Sequence, residues 1–246
     1  MRIKIQIPDT LNDITLGQYQ NFLELQEKEK DQMLLGSKMI EIFCKVPYGN
    51  IYEFRMSHIN KISKKLTSIF DQDTKHLIRH FKLNNINYGF IPNLDEMTFG
   101  EYVDLDTYFN DWETMHKAMG VLYRPVLQKH SDRYIIDKYK GGEFLDIKKM
   151  PLDVVFSSIV FFLQFRQRLE QEYTGLFEST GDGDLSTIAN FGTRWGWYQS
   201  IYALSKGDIT KYKNITELNV HQCLYALEFM KEKNELELKQ INKNIK

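Results

Sequence analysis

Only two cysteines occur in 246 residues, Cys44 and Cys223. They lie far apart in apolar stretches, which excludes a disulfide scaffold or a four-cysteine zinc site and predicts buried, reduced thiols. Prolines number five against a hydrophobic fraction of 42%, a balance that excludes disordered and collagen-like chains. A surplus of either charge is also missing. Thirty-two Lys and Arg stand against thirty-three Asp and Glu, giving a formal charge of −1, so the bulk basicity that drives non-specific phosphate or anionic-membrane binding is absent. The most apolar segment, 152–165, is interrupted by Asp153, Ser157, Ser158 and Gln164. It falls short of the roughly 20 residues needed to cross a bilayer and is predicted to be a core helix. The first eight residues alternate charged or polar with apolar side chains and lack the apolar core of a signal peptide, so the expectation is a protein that stays where it is made.

Recognisable site chemistry is equally sparse. No phosphate loop occurs, and Gly181-Asp182-Gly183-Asp184 lacks both the lysine and a preceding strand. The same segment fails as a calcium loop, because Ser186, Thr187 and Phe191 do not supply the remaining ligands. Of six histidines, only His76 and His80 are four apart, with no Glu next to His76 and no third ligand at helical spacing. No nucleophile elbow occurs, and neither cysteine sits in an electropositive setting at a helix start. Carboxylate pairs such as Asp104/Asp106 and Asp111/Glu113 are two residues apart, and on a helix that spacing does not converge on one substrate atom. Arg124 to Lys140 interleaves Arg, Lys and Tyr in a pattern able to touch phosphates or stack on bases. Without a nucleic-acid fold it reads as a solvated or partner-facing edge. The expectation is a chain without catalytic residues, cofactor or metal.

What the chain does contain is an internal repeat. Ile14-Thr15-Leu16-Gly17-Gln18-Tyr19 returns 83 residues later as Met97-Thr98-Phe99-Gly100-Glu101-Tyr102. Each copy follows an extended apolar run ending at proline, Ile3 to Ile7 before Pro8 and Ile86 to Ile91 before Pro92. Thr15 and Thr98 are predicted N-caps, and Gln18 and Glu101 complete capping boxes three residues on. Ile14 with Tyr19, and Met97 with Tyr102, hold the two positions of a hydrophobic staple. A second helix follows in each copy, Lys38 to Lys45 before Val46-Pro47 and Lys117 to Tyr123 before Arg124-Pro125. The fold class is therefore predicted as mainly α, with duplicated strand-helix-loop-helix units, a C-terminal helical region and minor β. Residues 1–82 hold the first unit with linking helices, 83–148 the second and 149–246 the C-terminal region, together one body.

Between the copies, Ile59, Ile62, Leu66 and Ile69, with Leu77 and Ile78 beyond, keep helical spacing and predict an amphipathic helix pair. Tyr134, Ile136 and Tyr139 alternate with polar residues before Gly141-Gly142 and predict a short strand or hairpin arm. Pro151 suits a first helical turn, and the helix after it, running to about Tyr173, carries apolar residues around most of its circumference, Phe161 included, as a central helix does. Residues 179–186 predict a loop. Trp195-Gly196-Trp197 opens a short helix that Lys206-Gly207 closes. The last helix starts at Asn219 as N-cap. Along positions 220, 224, 227, 231, 234, 238, 241 and 245 only Lys231 and Asn234 break an apolar seam of alternating fours and threes. Its first half is predicted to dock and its end, beyond Met230, to project. A projecting amphipathic end either frays or finds a partner helix, with Leu238, Ile241 and Ile245 as the contact residues.

These segments together resemble proteins of tailed bacteriophages found among tail and neck genes. The resemblance is carried by Ile14 to Tyr19, Met39 to Cys44, Leu122 to Val126, Met150-Pro151-Leu152 leading into Phe161-Phe162, and Trp197 to Asp208 with the charged final helix. The richness in Ile, Lys, Asn and Tyr is similar to AT-rich phages, crAss-like phages included, whose short tails are stacked protein rings. The resemblance implies a non-enzymatic component of a virion neck or tail, a ring or adaptor protein linking portal to tail and made in the host bacterial cytoplasm. Its implied partners are copies of itself in a ring and other tail, neck or portal proteins, with no membrane and no sequence-specific nucleic acid. The alternative it leaves open is a tail assembly chaperone that binds a tail protein but is absent from the particle.

Overall fold

Local chemistry starts the first two helices. Thr15 opens α1 (Leu16–Lys28), and Asp31 opens α2 (Gln32–Cys44) by accepting from the Met33 and Leu34 amides. Lys45 ends α2 in the left-handed conformation at φ 55°. A one-turn helix, α3 (Tyr48–Ile51), precedes α4 (Met56–Phe70), whose Ile59, Ile62, Leu66 and Ile69 bury one stripe while its lysines face water. The computed structural model describes residues 5–72, 76–131, 133–177 and 195–244. The protein is mainly helical with one four-stranded antiparallel sheet among the described residues.

Residue contacts gather Met1–Pro92 and Tyr108–Phe161 into one unit, and Asn93–Thr107 and Phe162–Lys246 into a second. Each unit draws on an early and a late part of the chain, unlike the division by chain order at residues 82 and 148. The first unit holds α1 to α4, the sheet, and α6 (Met115–Leu122). The sheet runs β1 (His80–Leu83), β2 (Ile86–Phe90), β3 (Tyr123–His130) and β4 (Arg133–Ile136) in simple order. Asn84 and Asn85, both at positive φ, form the two-residue turn between β1 and β2, because asparagine tolerates the left-handed region that a tight hairpin needs. The buried Tyr123 donates its hydroxyl to the Ile78 carbonyl at 2.7 Å and the half-buried Tyr134 to Phe90 at 2.6 Å, so both phenols find partners.

The second unit contains α5 (Phe99–Tyr108) up to Thr107, α8 (Thr174–Phe177), α9 (Trp197–Leu204), α10 (Tyr212–Thr216) and α11 (Val220–Asn244). Helix α7 (Leu152–Glu172) belongs to the first unit as far as Phe161 and to the second from Phe162. The core of the second unit is built on Met97, Phe99, Tyr102, Phe162, Val220 and Leu224, all almost fully enclosed. Each such side chain contributes about 1.5–3 kcal/mol relative to exposure. Trp197 stands edge-on to Phe99 and Tyr102, and its indole N–H donates to Asp106 at 2.9 Å.

Several sequence expectations are corrected. Leu77 and Ile78 lead into strand β1, so the second helix of the expected pair is absent, because Asn84-Asn85 closes a hairpin that takes His80–Leu83 as one arm. Strand β3 begins at Tyr123, where α6 ends, and carries Pro125 inside it. Of the strand expected at Ile3 to Ile7, the described residues 5–7 form no strand, and Ile3 lies outside the described residues. Val160, Phe161 and Leu163 are exposed, so α7 is open on one side where the sequence predicted near-complete burial. The expected loop at 179–186 lies outside the described residues.

Candidate assembly surfaces

The repeated hexapeptide is one half of a clamp. In the first unit Thr15 Oγ1 accepts from the Gln18 amide at 3.3 Å, and Gln18 Oε1 accepts from the Thr15 amide at 3.0 Å. In the second, Thr98 Oγ1 accepts from the Glu101 amide at 3.2 Å, and a Glu101 carboxylate oxygen accepts from the Thr98 amide at 2.7 Å. A short 3₁₀ turn precedes each cap, Leu11–Asp13 and Leu94–Glu96. The other half of each clamp lies far along the chain. The Leu16 amide donates to the Met150 carbonyl at 2.9 Å and the Leu152 amide to Ile14 at 2.8 Å. Correspondingly, the Phe99 amide donates to Leu218 at 2.7 Å and the Val220 amide to Met97 at 3.1 Å. Each pair forms an antiparallel bridge, Thr15 with Pro151 and Thr98 with Asn219, so each unit is tied where two helices begin side by side. The first amide of each of the four helices, on Leu16, Phe99, Leu152 and Val220, is thereby given a backbone acceptor.

The match extends to the glycines. A Cβ on Gly17 would stand 3.1 Å from the Lys148 carbonyl oxygen, and one on Gly100 would stand 3.0 Å from that of Thr216. Lys148 and Thr216 each lie two residues before the bridging carbonyl, in turns closed by Met150 to Ile147 and by Leu218 to Ile215. The repeat therefore has two segments, one recurring after 83 residues and one, Ile147–Val155 onto Ile215–Cys223, after 68. The second segment shares only an apolar pattern, Ile147, Met150 and Leu152 against Ile215, Leu218 and Val220, and Pro151 occupies the place of the capping Asn219. This is why the sequence shows only the first.

The C-terminal helix carries a run of exposed apolar side chains. Asn219 caps it, its Oδ1 accepting from the His221 amide at 2.9 Å. Val220, Leu224 and Leu227 are buried, and Leu227 is the last buried residue of α11. Of the expected contact residues, Leu238 and Ile241 are exposed at 59% and 53%, and Ile245 lies outside the described residues. Tyr225, Phe229 and Leu236 are also exposed, on the opposite side of the cylinder. The sequence reading missed them, although their spacing of four and seven carried the signal.

A network around His221, also unforeseen, fastens the start of this helix. Tyr173 Oη lies 2.8 Å from His221 Nδ1, His221 Nε2 lies 3.0 Å from Asp95, and Arg168 pairs with the same carboxylate. Burial raises the Asp95 pKa, but the hydrogen bonds and charges of His221 and Arg168 outweigh it and hold the carboxyl below its usual range. The Tyr173 phenol is pushed up to about 12 by burial and by Glu172. The arrangement ties Tyr173, Asp95 and Arg168 to the start of α11.

The basic stretch Arg124 to Lys140 forms the β3–β4 hairpin and the segment after it. Arg79, Gln128, His130, Arg133 and Tyr134 line an open cavity of about 540 Å³ there, with Pro92 and Ile135. Burial, followed by the nearby charges of Lys129 and Arg79, lowers the His80 pKa. Cys44 and Cys223 are buried, and burial pushes both thiols up to about 11, far from a reactive thiolate. Among the described residues no group of three His, Cys, Asp or Glu side chains is placed to hold a metal ion, and no helix is long and apolar enough to cross a membrane. Asp182 and Asp184 lie outside the described residues. No family model, curated protein or solved structure matches the chain.

Proposed function

We propose that the chain is a non-enzymatic structural protein of a phage neck or tail, a ring or adaptor subunit between portal and tail. The observation that carries this reading is the clamp repeated in the two units. A chain built twice around one motif presents related but non-identical surfaces, and a ring subunit needs two different lateral surfaces that meet heterologously and close. The resemblance to tail and neck proteins supports the same reading, as does a helix end whose large apolar side chains face solvent. Its neighbours are copies of itself and other tail, neck or portal proteins, and no cofactor, membrane or sequence-specific nucleic acid enters its work. It is made in the bacterial cytoplasm and acts in the virion.

The test is electron microscopy and sedimentation of the purified chain, in which closed rings on concentration are expected and a monomer at every concentration overturns the ring. A tail assembly chaperone is the second reading, favoured by Leu238 and Ile241 standing free on a helix end that a client tail protein can cover. Mass spectrometry of purified particles separates the two, because a chaperone is absent from them.

A further inference from the structure

We propose that α11 beyond Leu227 is a two-faced self-association element, whose acid-bordered aliphatic face docks on the base-bordered aromatic face of the same helix in a second copy. The inference deepens the ring reading and rests on it for closure of the assembly. From Glu228 to Asn244 the helix continues past its last buried residue for about 25 Å at 1.5 Å per residue. One face continues the docking stripe and carries Leu238 and Ile241; the opposite face carries Tyr225, Phe229 and Leu236. At 100° per residue, Glu235 and Glu237 fall on either side of the aliphatic face, whereas Lys233 and Lys239 flank the aromatic one and Lys243 lies in line with it. Lys231 in the first face is an exception, as are Glu232 in the second and Glu228 toward its border, and each face keeps a net charge of its own sign, −1 for the first (Glu235 and Glu237 against Lys231) and +1 for the second (Lys233, Lys239 and Lys243 against Glu228 and Glu232). Lys233 and Glu237 also meet within the helix at 3.7 Å, joining the two borders.

This pattern selects the occupant. Either face against itself sets like charges opposite one another, which costs binding, whereas the two faces against each other match apolar centre to apolar centre and Glu to Lys. The complement of each face is present on the same helix, so every copy carries both halves of the contact and can take two neighbours. Such a contact is heterologous, and it closes into a ring when the rotation between subunits permits.

Sedimentation velocity on the full chain tests this with two variants, Leu238→Asp/Ile241→Asp and Phe229→Asp/Leu236→Asp. All four positions are exposed, and an unchanged circular-dichroism spectrum and melting temperature verify folding. The wild type is expected to assemble beyond a dimer, and each variant alone to associate at least about tenfold more weakly. An equimolar mixture of the two forms a one-to-one heterodimer that grows no further, because each variant keeps one intact face. Lys233→Glu/Lys239→Glu weakens assembly, and mixing it with Glu235→Lys/Glu237→Lys restores the pairing. Rings that form equally well from every variant overturn the helix contact and leave the ring reading standing. A wild type that stays monomeric at all concentrations, or binds only another phage protein, overturns both. A dimer of the aromatic-face variant alone shows the aliphatic face pairing with itself and overturns the two-faced contact.

Discussion

At the residue scale, the clamp makes an unusual demand on glycine. Alanine in a helix is ordinarily favoured over glycine by about 0.5–1 kcal/mol. At Gly17 and Gly100 the added methyl meets a backbone carbonyl, which is held by a closed turn on one side and the clamp hydrogen bonds on the other. Crowding of that kind costs about 1–3 kcal/mol and outweighs the propensity gain. Gly17→Ala and Gly100→Ala are therefore expected to lower the melting temperature, whereas a rise in both places the carbonyls out of contact. Thr15→Ala and Thr98→Ala each remove a cap and are expected to cost about 0.5–2 kcal/mol in denaturant titrations. The caps were legible in the sequence because N-cap chemistry is confined to four consecutive residues. The Tyr173, His221 and Asp95 network was not, since its members come together only when three distant segments pack.

His116 supplies a pH test at the same scale. It is buried on α6 with its ring 3.4 Å from Gln20 Nε2, and burial, followed by the charges of Lys148 and Lys117, lowers its pKa. The folded state thus prefers the neutral ring. That contribution is complete above the unfolded value of about 6.5 and is lost as pH falls through 6.5 toward the folded value. His80 shifts in the same direction. Carboxylates with lowered values, such as Asp95, lose their contribution only below about pH 4, and burial raises the Asp153 value, which acts in the opposite direction as pH falls, so a loss between pH 7.5 and 5 belongs to the histidines. The melting temperature of the wild type is expected to drop across that window and that of His116→Gln to drop less. Parallel curves remove His116 as a cause.

At the scale of elements, helices with a cap and a 3.6-residue stripe were readable, and short strands were not. Strand β1 has four residues, and Leu77 and Ile78 before it continue helical spacing, so periodicity alone favours the wrong element. The deciding signal was Asn84-Asn85, two residues that accept positive φ and set a hairpin. Strand β3 was hidden by Pro125, which reads as a stop for α6 and lies within a strand that continues from it. In α11 the burial ends at Leu227, so the final segment contributes little to the body's stability. A chain cut after Met230 is expected to melt within about 2–4 °C of the full chain, the shift that 1 kcal/mol produces in a domain of this size. A larger fall shows that the end of the helix supports the fold.

At the scale of the whole molecule, the same cut separates stability from assembly. The truncated chain keeps both clamps and the buried start of α11, and loses Leu236, Leu238 and Ile241 together with the lysines and glutamates around them. If the chain is a ring or adaptor subunit, this folded body lacks the contact that multiplies along the ring, and each subunit loses it on two sides. Particles produced by a phage whose only copy ends at Met230 are then expected to contain none of the truncated protein, while the host cytoplasm contains it in soluble form. Quantitative mass spectrometry of purified particles reads the result. Incorporation at the level of the full chain shows that the helix end is no assembly contact and shifts the lateral interface onto the two units themselves. Normal particles in which even the full chain is missing transfer its role to the cytoplasm, where the same exposed stripes hold a tail protein before assembly.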